Sequence, residues 1–212
     1  MCGRYVRITP IAQFAYLFQA QGHPDCWASY NIAPSTQVLV ARNAAQGGRE
    51  LVTMKWGLVP ARSAEPKTAY STINARAETV AQKPAFRSAF RHRRCLIAAD
   101  GLYEWHVEAD GHKQPYFIYL EDHVPFAFAG LWEHWECDGK SLDSCSIIVT
   151  TANDRMRPIH DRMPVILAPE VFDAWMDPTV SQPEVLQPVI VNLPCGIHAV
   201  SSGQHGGEQS TT

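Results

Sequence analysis

Apolar and polar positions along this chain follow two periods, and the change from one to the other sets the expected elements. Ile11, Phe14, Leu17 and Phe18 recur at helical spacing behind Thr9-Pro10. That pair reads as an N-cap with proline in the first helical position, and the pattern runs out near Gly22. Period two follows. Residues 36–41 and, past the Gly47-Gly48 turn, 51–56 have the alternating, β-branched character of strands. Residues 57–72 are polar, carry Pro60 and Pro66, and predict a long loop of the kind that often serves function. Helical spacing returns over 78–92 with a break at Pro84, which cannot donate to the preceding turn, so two short helices are expected. From Cys95 the pattern is β again, at 95–98, 101–107, 115–120, 126–133 and 144–151, with Asp110-Gly111 and Asp138-Gly139 as turns. A meander is the simplest arrangement. A helical turn at 153–157, a strand at 162–167 and a helix at 169–176 follow, and the Ser/Gly/Gln-rich residues 201–212 predict a disordered tail.

Composition narrows the class. At 212 residues the chain can bury one sizeable core, and no stretch reads as a linker. There is no basic segment followed by an apolar run at the N-terminus and no uninterrupted apolar stretch of membrane-spanning length. The expectation is therefore a cytoplasmic protein with no membrane partner. The six cysteines form no C-x-x-C and the nine histidines no H-E-x-x-H, so no metal site and no cofactor is expected, and the thiols are expected to be reduced. The net charge of −3 argues against a nucleic-acid binder, but its distribution does not. Residues 76–94 hold Arg76, Lys83, Arg87, Arg91, Arg93 and Arg94 against Glu78 alone, a local +5 that leaves the rest near −8. Such a stretch is either a phosphate-binding patch or a solvated helix face.

The chemistry concentrates at the start, Met1-Cys2-Gly3-Arg4-Tyr5. Initiator methionine is normally trimmed before a small side chain, which would leave Cys2 with an amine and a thiol on adjacent carbons. An α-amine titrates near ~7.7–8.0, against ~10.4 for lysine, so roughly a tenth of it is neutral at pH 7. It can condense with an aldehyde, and the thiol can close on the imine to a five-membered thiazolidine. A thiol attacking an acyl carbon with the α-amine as base is a second reading, and an incidental cysteine near a frayed end is a third. Three further stretches combine ionisable residues with strand-like or turn-like neighbours: residues 71–78, 100–105 and 158–164. Singly they have plain explanations. Asn74 would be a helix N-cap, Glu104 the solvent-facing member of an alternating strand, and His160 a structural histidine.

Together with Cys-Gly-Arg, several ordered motifs carry a resemblance. They are Tyr30-Asn31-Ile32-Ala33-Pro34, Trp56-Gly57-Leu58-Val59-Pro60, Ile73-Asn74-Ala75-Arg76-Ala77-Glu78-Thr79, Arg94-Cys95-Leu96-Ile97, Asp100-Gly101-Leu102-Tyr103-Glu104-Trp105, Ile159-His160-Asp161-Arg162-Met163-Pro164 and Ala199-Val200-Ser201. The chain resembles the SRAP (SOS response-associated peptidase) family of abasic-site processing proteins. The resemblance implies a covalent thiazolidine crosslink between Cys2 and the ring-opened aldehyde of an abasic site in single-stranded DNA. It further implies that Asn74 hydrogen-bonds the terminal amine and the sugar, that Glu104 is the general acid/base, and that His160 helps open the sugar ring. Arg4, Arg76 and Arg162 would hold phosphates, with Trp56, Gly57 and the loop to Tyr70 along the DNA path. Autoproteolytic removal of Met1 is also implied. Two departures stand out: Ala61-Arg62 occupies a place where members often carry an aromatic, and Ser202-Gly203-Gln204-His205 replaces an apolar end. An N-terminal-cysteine amidohydrolase of the glutaminase type and a non-catalytic single-strand-binding module remain as rivals. The expected fold is α+β, one monomeric domain over residues 1–200, with a mostly antiparallel, barrel-like sheet and peripheral helices.

Overall fold

The computed structural model describes residues 2–66, 71–180 and 195–200. Strand β1 (Arg4–Arg7) leads into α1 (Ile11–Phe18), β2 (Ala20–Gln21), β3 (Ser29–Ile32), β4 (Gln37–Asn43) and β5 (Arg49–Trp56). After the loop come β6 (Asn74–Arg76), α2 (Arg87–His92), β7 (Arg94–Ala99), β8 (Gly101–Val107) and β9 (Lys113–Leu120). The chain continues through β10 (Phe126–Cys137), β11 (Lys140–Thr151), β12 (Arg162–Pro164), β13 (Ile166–Leu167), α3 (Phe172–Met176) and β14 (Cys195–Ala199).

Strands β5, β4, β7, β10 and β11 are successive antiparallel neighbours, and β11 returns to β5 in parallel with Ser144 opposite Lys55 and Cys145 opposite Trp56. The ring is thereby closed. Closure removes the edges that an open sheet would expose. A second, antiparallel sheet runs β14-β9-β8-β1-β3. The wall between them is buried on both faces: Val38, Val40, Cys95, Ile97, Phe128 and Ile147 join the core shared with Cys2 and Tyr5. Their neighbours Leu39, Ala41, Leu96, Ala98, Ala129 and Ile148 join the core capped by Phe14, Phe18, Phe90 and Trp175. Each fully buried large aliphatic contributes about 1.5–3 kcal/mol, which is why β7 is an unbroken apolar run after its arginine.

The α+β class, the single domain and the barrel-like sheet agree with the expectation, whereas several elements differ. The 95–151 strands do not form one meander. β7 and β10 pair in the barrel, while the β8–β9 hairpin swings into the second sheet. Asp100 makes the corner: its N–H donates to Val6 O at 2.8 Å, and its carboxylate accepts Ile8 N–H at 2.5 Å, Thr9 N–H at 2.9 Å and the Thr9 hydroxyl at 2.5 Å. Thr9 is therefore no helix cap. Helix α1 starts after Pro10 without a side-chain cap and stops at Phe18, where Gln19 turns left-handed at φ 50°. Of the two helices expected over 78–92, α2 forms and the segment before Pro84 is a series of turns, such as Lys83 N–H to Thr79 O at 3.0 Å. The expected 162–167 strand is split at Val165, whose N–H bonds Ile148 O and whose carbonyl accepts from Ala129, both at 2.9 Å.

The basic stretch is not one surface patch. Arg94 is 4% exposed, donates to the carbonyls of Phe90 at 2.8 Å, Trp175 at 2.5 Å and Asp177, and sits 5.7 Å over the Trp175 ring. It ties α3 to the barrel. Arg93 pairs with Glu133 at 2.8 Å. Five described cysteines are free thiols, and no described helix is long and apolar enough to cross a membrane. The tail expected at 201–212 lies outside the described residues, as do Met1, the end of the loop at 67–70 and Ser201 of the last motif.

Candidate active site

Cys2 stands just before β1, and the β1–β8 register sets Arg4 opposite Tyr103 and Tyr5 opposite Leu102. Continued by one residue, that register carries Glu104 toward the start of the chain. Alternation along β8 then decides which side each residue takes. Leu102 joins the core with Cys2 and Tyr5, and Glu104, two residues on, is 2% exposed, while Trp105 is 37% exposed. The solvent-facing reading of Glu104 is overturned by this parity.

Asn74 lies on β6, opposite Ile147 of β11, and is not a helix cap. Its Nδ2 donates to the Cys2 carbonyl at 2.8 Å, and its Oδ1 is buried without a hydrogen-bond partner among the described residues. Trp56 is fully buried, with Nε1 donating to Ile73 O at 2.9 Å and its ring edge-on to Tyr5 at 5.3 Å. An enclosed indole cannot stack on a base, so the DNA contact expected of Trp56 is corrected to a brace beneath the strand of Asn74. Gly57 takes φ 128°, a conformation that disfavours a side chain, and its N–H bonds Cys145 O at 2.8 Å. That turn sends the chain off the closing strand.

His160 follows a turn in which Asn153 Oδ1 accepts the Met156 N–H at 2.9 Å. Its Nδ1 accepts the Arg162 N–H at 2.9 Å and also lies 2.8 Å from an Asp161 carboxylate oxygen. One nitrogen cannot serve both as a neutral ring. The backbone contact is the firmer of the two, because the Asp161 side chain is 85% exposed and free to rotate. Glu104 and His160 line a cleft of about 690 Å³ together with Trp105, Lys113 and Arg157. Sequence reasoning missed Lys113 and Arg157 as cleft residues because nothing in their local sequence distinguishes them.

Burial holds the Cys2 thiol well above its ordinary range, and the Glu104 charge pushes the same way. Burial also raises the Glu104 carboxyl, with His160 opposing. Glu104 is thus the group that acts on Cys2 and is acted on by His160. Arg76 and Arg162 occupy neighbouring strands of β11, opposite Val149 and Thr151. Arg76 is exposed, whereas Arg162 makes a two-pronged pair with Glu78 at 2.8 Å on each oxygen, which holds that carboxyl below the usual range. Arg4 donates to Gly3 O at 3.0 Å. No group of three or more potential metal ligands occurs among the described residues.

A family model described as SOS response associated peptidase (SRAP) matches residues 1–202. The chain is 40% identical over 198 residues to the abasic site processing protein YoqW of Bacillus subtilis (strain 168), covering 90% of this chain and 86% of that protein. It is 31% identical over 190 residues to the abasic site processing protein YedK of Escherichia coli (strain K12), covering 87% and 83%. A crystal structure of a protein from Bacteroides thetaiotaomicron shares the fold, with a TM-score of 0.85 at 24% identity over 95% of this chain and 93% of that one. With a family match from end to end of the barrel and its companion sheet, the chain belongs to the SRAP family.

Proposed function

We propose that this protein processes abasic sites in single-stranded DNA by trapping the ring-opened sugar as a thiazolidine on Cys2, once Met1 has been removed. The observation that carries the reading is the bridge from Asn74 to the Cys2 carbonyl, which fixes the first residue of the trimmed chain beside a buried Glu104 and a cleft histidine. The names of the relatives support the substrate class.

An abasic site is a masked aldehyde. His160, at the cleft, is suited to help the ring open, and the α-amine of Cys2 then attacks C1′. The C–N bond forms, the C–O bond breaks, and water leaves with a proton supplied from Glu104, whose carboxyl burial raises above its ordinary range. The free Asn74 Oδ1 would accept from the amine and orient its lone pair. In the second step sulfur bonds to the imine carbon and the thiol proton passes to nitrogen, with Glu104 as carrier. A thiol kept neutral by burial fits this order, amine first and sulfur second. With C1′ no longer a carbonyl or imine, β-elimination and strand cleavage are blocked. Arg4, Arg76 and Arg162 would bind flanking phosphates, Arg162 by exchanging Glu78 for a phosphate. Removal of Met1 is hydrolysis of one peptide bond and uses the same acid–base pair.

Incubation with a uracil-containing oligonucleotide pretreated with uracil glycosylase tests this on a denaturing gel. A slow-migrating species that disappears in Cys2→Ala and with intact DNA is expected. Protein shown by mass spectrometry to begin at Cys2 and still giving no such species would overturn the proposal.

A further inference from the structure

The outer face of the second sheet carries a row of rings that the active-site chemistry does not use. Tyr103 and Phe117 are 5.3 Å apart, Phe117 and Tyr119 are stacked at 5.5 Å with planes 21° apart, and Tyr119 and His198 are stacked at 5.3 Å and 16°. His123 lies over Tyr119 at 4.1 Å with planes only 8° apart. The row crosses three strands, β8, β9 and β14, because Tyr103 pairs with Phe117 and Phe117 with His198.

Glycine explains how the rings lie. A Cβ on Gly101 would fall 2.4 Å from the Phe117 ring, and one on Gly196 would fall 2.6 Å from the Tyr119 ring. Both rings therefore lie against bare backbone at the two glycines, where no side chain holds them off the sheet. A ring lying flat presents its π face, which suits a planar partner better than an aliphatic side chain. His123 shows such a partner in place. It is exposed, and its imidazole reaches Tyr119 from two consecutive left-handed residues, Asp122 at φ 59° and His123 at φ 52°. Non-glycine residues seldom adopt that conformation.

Charge gives the row a direction. At the cleft end Arg4 lies opposite Tyr103 in register, and Lys113 of the same face lines the cleft; at the far end Glu121 and Asp122 adjoin His123. Trp105, on the same side of β8 as Tyr103, borders the cleft and makes the surface continuous with it. Phosphates are favoured near the cleft and disfavoured beyond His123.

We infer that this face is a base-stacking platform for unpaired nucleotides of the strand whose neighbouring sugar enters the cleft, about two or three of them, one per open ring. The inference rests on the protein's binding single-stranded DNA and is independent of the covalent step.

Two measurements on the full chain test it. The double variant Phe117→Leu/Tyr119→Leu should raise the Kd for a thymidine homopolymer of about 15 nucleotides by about tenfold or more, with the salt dependence unchanged because rings and not cations are lost. Irradiation of wild type bound to a 5-iododeoxyuridine homopolymer should give adducts at Phe117, Tyr119 or His198 by mass spectrometry, a readout that needs no variant to fold. Unchanged affinity in the folded double variant, or adducts confined to the cleft, overturns the platform. A wild type that crosslinks abasic DNA but shows no platform adducts would leave the proposed function standing and remove this inference alone.

Discussion

Replacing Asp100 by Ala tests whether the corner between β7 and β8 holds the start of the chain in place. Asp100 is 7% exposed, and its carboxylate accepts three donors, Ile8 N–H, Thr9 N–H and the Thr9 hydroxyl, at 2.5, 2.9 and 2.5 Å. Each donor left unpaired in a buried setting costs about 1–3 kcal/mol, and some solvent reaches Thr9, so the sum is about 3–5 kcal/mol. For a chain of this length about 2–4 °C is lost per kcal/mol, which places the drop in Tm on the order of 10 °C. Thermal unfolding followed by circular dichroism measures it, and guanidinium titration gives the free energy directly. A cycle with Thr9→Val should show a coupling of about 1 kcal/mol, since one of the three bonds is shared by both residues. Because β1 carries Cys2 at its other end, adduct formation measured well below the melting point should also slow. A loss smaller than about 1 kcal/mol would refute the reasoning, since it would mean that water replaces the carboxylate without penalty.

Glu104→Gln should slow adduct formation by about 10²-fold or more, the usual scale of acid–base catalysis, and an unchanged single-turnover rate would remove Glu104 from that role. The same variant has a pH signature in stability. Burial raises the Glu104 carboxyl above 4.5, so the folded state favours the protonated form. That preference is fully present below the ordinary value and is lost as pH rises through the raised one, so Gln should gain on Glu steadily from pH 4.5 upward. Denaturant midpoints of the two proteins that stay the same distance apart across that range would contradict it. Tyr5→Phe should leave stability unchanged or raise it by about 1 kcal/mol, because the hydroxyl is fully buried without a partner among the described residues. A loss above that size in the same titration would show that the hydroxyl is bonded after all.

Much of this protein could be read along the chain. Period-two runs marked the strands that build the barrel and helical spacing marked α1, whereas the grouping of Cys2, Asn74, Glu104 and His160 came from the family resemblance that the ordered motifs carry. These signals are local, since a side chain's alternation or spacing is set by its own backbone. Other features depend on which distant segment arrives alongside. The barrel closes through β11 meeting β5, about ninety residues apart at Cys145 and Trp56, and nothing in either strand names its partner. That closure buries Trp56 and takes it from the DNA path. The turn at Asp100 lays β8 against β1 and puts Glu104 inside, although its alternation fits either face. Arg94 and Arg162 count equally as positive charge in the sequence, yet one is locked under α3 and the other is held by Glu78. Sequence by itself determined the longer strands, the first helix and the chemical groups at hand. Only the tertiary structure decided which face of each strand is buried and which charges are already paired, because burial and pairing are properties of contacts between segments far apart in the chain.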